Sequence, residues 1–92
     1  MSTPINYSEL AGMMAEGMAK EEISWTEANG VTTTTIYSGK PNVTDPSAVT
    51  DDRDDWQLCR QVIVENGNQV TITTMWAKGS WTNRATLTYK YL

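Results

Sequence analysis

Residues 56–92 read WQLCRQVIVENGNQVTITTMWAKGSWTNRATLTYKYL, and this stretch decides the fold. Three segments that alternate with a period of two are separated by two short turns containing glycine. In the first segment Trp56, Leu58, Val62 and Val64 share a side, interrupted by Arg60. In the second Val70, Ile72 and Trp76 do so, and in the third Ala85, Leu87, Tyr89 and Tyr91. Gln57, Gln61, Gln69, Thr71, Thr73, Thr86, Thr88 and Lys90 alternate with them. Alternation of β-branched and aromatic residues with polar ones is what a sheet with one buried and one wetter face requires. The stretch therefore predicts an antiparallel three-stranded meander. Its first turn is Glu65-Asn66-Gly67-Asn68, where Asn and Gly accept the positive φ of tight hairpins, and its second is centred on Lys78-Gly79-Ser80.

Upstream, Asn29-Gly30 is flanked by alternating residues and gives the strongest hairpin signal in the chain, over about residues 22–37. Ile23 and Trp25 share one face of its first strand; Val31, Thr33, Thr35 and Tyr37 share one of its second. The run Thr32–Thr35 is stiff at χ1 and favours strand. From Ser38 to Asp55 periodicity stops, and Pro41, Asp45, Pro46 and the acidic cluster Asp51-Asp52-Arg53-Asp54-Asp55 mark a long connection. Before the hairpin, Tyr7, Leu10, Met14 and Met18 recur at spacings of three and four, joined by Ala11. That stripe predicts a helix over about 7–20, capped by Asn6 or Ser8 and docked on the sheet. The expected fold is thus α+β: one N-terminal helix on an antiparallel sheet of about five strands, with barrel-like closure as the alternative, in a single domain spanning 1–92.

Composition narrows the function. A chain of 92 residues builds a small core. It lacks Phe and carries its aromatic load on four Trp and four Tyr, residues common at interfaces. A net charge of −4 disfavours a phosphate backbone as partner. Cys59 is the only cysteine, which excludes an intrachain disulfide and a Cys-based zinc cluster. Neither a secretion signal nor an apolar run of membrane-spanning length is present, so the expectation is a soluble chain made in a reducing cytoplasm. With no histidine, His-dependent triads and HExxH sites are excluded. No phosphate-binding glycine motif occurs, and no cofactor is called for. The carboxylates Asp51, Asp52, Asp54 and Asp55 read as a solvated acidic loop, with a hard-cation site as the rival reading; their spacing departs from the calcium-loop pattern. Asn42-Val43-Thr44 fits the glycosylation sequon, which has no role without secretion.

Four residues are candidates for an interface. Met13 lies beside the helical stripe rather than in it. Trp76, Trp81 and Arg84 gather in sequence around the second turn, either as an aromatic clasp that pins the hairpin or as an anchor for another chain.

Tyr37-Ser38-Gly39-Lys40, Asp55-Trp56-Gln57-Leu58, Met75-Trp76-Ala77-Lys78-Gly79 and Trp81-Thr82-Asn83-Arg84-Ala85-Thr86-Leu87-Thr88-Tyr89 together form a recognisable pattern. In these segments the chain resembles a family of short tailed-bacteriophage proteins built on Y-x-G-K, W-x-I/L, W/Y-A-x-G and W-D/N-x-R-A-x-L-x-Y. The match covers roughly the C-terminal two thirds and departs from the pattern at the short Lys78-Gly79-Ser80 turn and at Thr82. The resemblance implies a non-enzymatic virion component: a capsid-decorating protein or a part of the neck or tail. Its implied partners are copies of itself or capsid, neck or tail proteins, with neither nucleic acid nor membrane. The rival expectations are a small ligand- or carbohydrate-binding module with Trp76, Trp81 and Tyr89 as a stacking platform, and an accessory inhibitor protein acting in the infected cell.

Overall fold

The computed structural model describes residues 18–91. Four strands follow in chain order: β1 (Lys20–Ala28), β2 (Val31–Lys40), β3 (Trp56–Asn66) and β4 (Gln69–Gly79). They form one antiparallel sheet in the order β1-β2-β3-β4. Asn29 (φ 54°) and Gly30 (φ 78°) turn the first hairpin, both in the left-handed region that a two-residue type I′ loop demands. Gly67 (φ 61°) opens the loop that pairs Asn66 with Gln69. Between β2 and β3 the connection is held by a 3-10 turn over Pro46–Ala48, capped by the Asp45 carboxylate, which accepts from the Ser47 N–H.

The expected five-stranded sheet under a helix is corrected to four strands. Among the described residues the 3-10 turn is the only helical element. Residues 7–17 of the expected helix, Met13 among them, lie outside the described residues; Met18 and Ala19 carry no helix, and Lys20 already belongs to β1. The expected last strand does not form either. Residues after Ser80 close on themselves through backbone bonds from Asn83 to Ser80, Arg84 to Trp81 and Thr86 to Asn83. Those local bonds consume the groups a ladder would use, and only Lys90 bridges back to Trp76. Among the described residues the sheet is open, with β1 and β4 as its edges, and does not close into a barrel.

A second correction concerns the faces. Because the second loop has two residues, Asn66 pairs with Gln69, and even-numbered residues of β3 stand opposite odd-numbered residues of β4. Trp56, Leu58, Val62 and Val64 therefore share a face with Thr71, Thr73, Met75 and Ala77. Val70, Ile72 and Trp76 lie on the other face with Cys59 and Ile63. Grouping the even-numbered residues of both strands on one side overlooks that a loop of two residues, like one of four, sets even-numbered residues opposite odd-numbered ones.

The core sits at one end. Trp56 and Leu58 are fully enclosed by Trp81 and Tyr89, with Tyr37, Val49, Met75, Ala77 and Leu87 around them. The segment 80–91 crosses this face as a strap. Trp81 packs on Trp56 at 5.5 Å between ring centroids, Arg84 reaches Glu22 on β1, Tyr89 returns over Tyr37, and Lys90 ends on the outer side of β4. The connection 41–55 completes the cover through the Trp56 indole N–H to the Thr50 carbonyl and the Thr82 N–H to the Asp51 carbonyl. On the opposite face a smaller cluster joins Ala19, Cys59 and Trp76. Among the described residues, none gives such cover to the far half of the sheet, toward the two hairpin loops. The molecule is elongated, 44 × 26 × 23 Å.

Candidate functional site

Among the described residues of the covered end, the Arg60 Nε is a buried polar atom left without a hydrogen-bond partner, while its neighbours pair internally. The Arg84 guanidinium binds both Glu22 carboxylate oxygens (3.2 and 2.7 Å), lies 4.8 Å over the Trp81 ring and donates to the Trp81 carbonyl. This pairing holds the Glu22 carboxyl below its ordinary value. The Tyr89 hydroxyl donates to the Arg84 carbonyl at 2.8 Å, and the Arg60 guanidinium sits 4.4 Å over the Tyr89 ring. Burial, with Tyr37 close by, pushes the Tyr89 phenol up to about 12. Arg60, which interrupts the apolar pattern of β3, is thus accommodated by an aromatic face and the Met75 sulfur.

The sequence-derived candidates separate in space. Trp81 is buried against Trp56, and Arg84 serves as the lid on Trp81, so these two form the clasp of the strap. Trp76 projects from the opposite face, half-buried against Ala19 and Cys59. It floors a groove of about 570 Å³ flanked by Lys78 and Lys90. The three-ring platform of Trp76, Trp81 and Tyr89 is not assembled, because two of its rings are core residues and the third faces away from them. In the acidic loop, Asp51 pairs with Lys20, while Arg53 forks onto Asp55 (3.0 and 2.6 Å) and holds its carboxyl low. Among the described residues no group of three His, Cys, Asp or Glu is placed to hold a metal ion, and no helix is long and apolar enough to cross a membrane.

Among the described residues, the far half of the face that carries Trp76 is left open. The pairing register lays out its rows. Trp25, Thr34, Ile63 and Ile72 stand side by side across the four strands, with Ile23, Ile36, Gln61 and Thr74 in one neighbouring row and Glu27, Thr32, Glu65 and Val70 in the other. Ile23, Trp25, Val70 and Ile72 are 59, 66, 58 and 62% exposed. Together they present on the order of 500 Å² of apolar surface, at the upper end of what a typical soluble monomer leaves in one patch. Glu27 and Glu65 form an acidic rim at the loop end. Such a surface recognises shape and apolar area.

Sequence reading singled out Ile23 with Trp25, and Val70 with Ile72, but as parts of a covered core. The signal that joins them is the length of the second loop, which fixes their shared face. Comparison with family models, with curated proteins and with solved structures finds no match to this chain.

Proposed function

We propose that this chain is a non-enzymatic structural protein that works by docking the bare half of its sheet against protein neighbours in an assembly. The observation that carries the reading is the row Trp25-Thr34-Ile63-Ile72 with Ile23 and Val70 beside it, apolar and exposed although the same chain covers the other end of the sheet with a strap. A monomer gains nothing from keeping Trp25 and Ile72 in water, whereas an interface centre is enriched in such residues. The resemblance to short tailed-phage proteins adds a setting: the particle, as decoration of the capsid or as part of the neck or tail. Trp76, at the near end of the same face with Lys78 and Lys90 flanking it, extends the docking surface toward the groove.

The test is quantitative mass spectrometry of purified particles from the source phage, with the wild-type chain and with Trp25→Glu. The wild type is expected at a fixed ratio to the capsid or portal protein. Trp25→Glu is expected to fold, because Trp25 contributes little to the core, and to be lost from particles. Absence of the wild-type chain from particles refutes the virion reading, and full incorporation of Trp25→Glu refutes the role of the bare face.

A further inference from the structure

The two edges of the sheet are chemically unlike. β1 carries Lys20, Glu21, Glu22 and Glu27 within nine residues, and charges along an edge oppose pairing with another strand. The first seven residues of β4 read Gln69-Val70-Thr71-Ile72-Thr73-Thr74-Met75, with no charge, no proline and no glycine. Trp76 exchanges both of its outward backbone bonds with Lys90, at 2.8 and 2.9 Å. Backbone direction alternates along a strand, so Val70, Ile72 and Thr74 also aim their N–H and C=O groups away from β3. Among the described residues the isolated bridge to Lys90 is the only pairing on this outer side.

We propose that the Gln69–Thr73 edge pairs antiparallel with the same edge of a second copy, joining two four-stranded sheets into one of eight. This deepens the assembly reading above, and rests on it, by naming a partner for the bare end. The edge is self-complementary. With the two-fold axis at Thr71, Val70 of one copy meets Ile72 of the other as a doubly hydrogen-bonded pair, Gln69 meets Thr73, and Thr71 meets its own counterpart. No charged residue enters any of these pairs, and β-branched residues in direct opposition favour each other. The axis is normal to the sheet, so the apolar faces of the two copies run together into one surface. The acidic β1 edges end on opposite margins, roughly 34 Å apart at about 4.8 Å per strand, which is several screening lengths. Pairing β1 with β1 about Ser24 would instead set Glu21 of each copy opposite Glu27 of the other. Pairing β1 with β4 is head-to-tail and gives an open chain rather than a closed dimer.

Thr71 is exposed and lies on the strap side of the sheet, away from Trp25 and Ile72, so it reports on the edge without touching the apolar patch. The experiment is sedimentation velocity of the wild type, Thr71→Lys, Thr71→Glu and Trp25→Glu from roughly 1 μM to 1 mM, the range in which a small interface dissociates. Far-ultraviolet circular dichroism confirms the fold of each. The expected result is a concentration-dependent dimer for the wild type and at least tenfold weaker association for Thr71→Lys and Thr71→Glu alone. An equimolar mixture of those two restores the dimer, because lysine of one copy then faces glutamate of the other. A wild type that stays monomeric throughout, or Thr71→Lys and Thr71→Glu proteins that each dimerise as well as the wild type, overturns the inference. Dimerisation lost in Trp25→Glu but kept in both Thr71 variants also overturns it, while leaving the apolar face in place as a docking surface.

Discussion

Trp25 and Trp81 are chemically identical side chains at opposite extremes of this structure, and replacing each by alanine should separate them sharply. Trp81 is 6% exposed, stacks on Trp56 at 5.5 Å and lies beneath the Arg84 guanidinium. A buried tryptophan removes roughly 200 Å² from water, worth about 5 kcal/mol at about 25 cal/mol per Å², and large-to-alanine replacements in cores cost roughly 3–5 kcal/mol. A loss of about 4 kcal/mol is therefore expected for Trp81→Ala. Against the total of about 5–14 kcal/mol that a chain of this size commands, that is a large share, and it lowers Tm by roughly 20 °C. Trp25 is 66% exposed, and Trp25→Ala should fall within about 0.5 kcal/mol of the wild type. The assay is urea unfolding followed by far-ultraviolet circular dichroism at about 1 μM, the low end of the association range. A loss under about 1 kcal/mol for Trp81→Ala, or equal losses for the two variants, would refute the assignment of the core to the strap end.

Four further outcomes follow from single observations. A Cβ added at Gly39 would stand 2.6 Å from a Leu58 methyl and 2.7 Å from the Gln57 carbonyl oxygen; since the backbone oxygen cannot yield, Gly39→Ala should lower the urea midpoint by the equivalent of about 1–3 kcal/mol. The Glu22 carboxyl is held below its ordinary value of 4.5 by Arg84, so the pair contributes above that pH and its contribution disappears as pH falls through the lowered value. The stability gap between wild type and Glu22→Gln should be present at pH 7 and shrink below about pH 4. For Tyr89 the sign is opposite: a phenol near 10 in the unfolded chain and about 12 in the fold means stability falls as pH rises from 10 toward 12, and Tyr89→Phe should flatten that decline. Burial raises the Cys59 thiol, and a thiol-specific reagent at neutral pH should label it no faster than the sheet opens; immediate labelling of the native protein would contradict its packing under Ala19.

Local chemistry carried the hairpins and little else. Asn29-Gly30 set the first turn, and alternation through Trp56–Val64 and Val70–Trp76 set β3 and β4, because both signals act between near neighbours. The strap was misread as a strand for a physical reason. Ala85, Leu87, Tyr89 and Tyr91 do alternate, yet the turn bonds around Asn83 and the burial of Trp81, a tertiary event, override that pattern. The face error came from parity: a loop with an even number of residues pairs even-numbered positions of β3 with odd-numbered positions of β4, so Val64 and Val70 face opposite sides although both alternate correctly within their own strands. Trp81 and Arg84 carried a legible signal as a pair; that their partners are Trp56 and Glu22, the latter 62 residues away, was not legible from spacing. The bare face could be recognised only once the register was known.

The strap that encloses Trp56 leaves the two hairpin loops as free ends, and this sets where the chain opens first. Amide hydrogens of β3 near Trp56 and Leu58 exchange only when the whole core comes apart, while those near Asn29 and Gly67 exchange through fraying of a single hairpin, with opening energies that decline along each strand. On the proposed docking role, the surface that meets a partner is thus also the end of the sheet expected to open most readily. A neighbour that binds there must first still it, so its affinity falls short of what the apolar area alone gives, and its arrival should be visible as slowed exchange at the loop ends before any change near the strap.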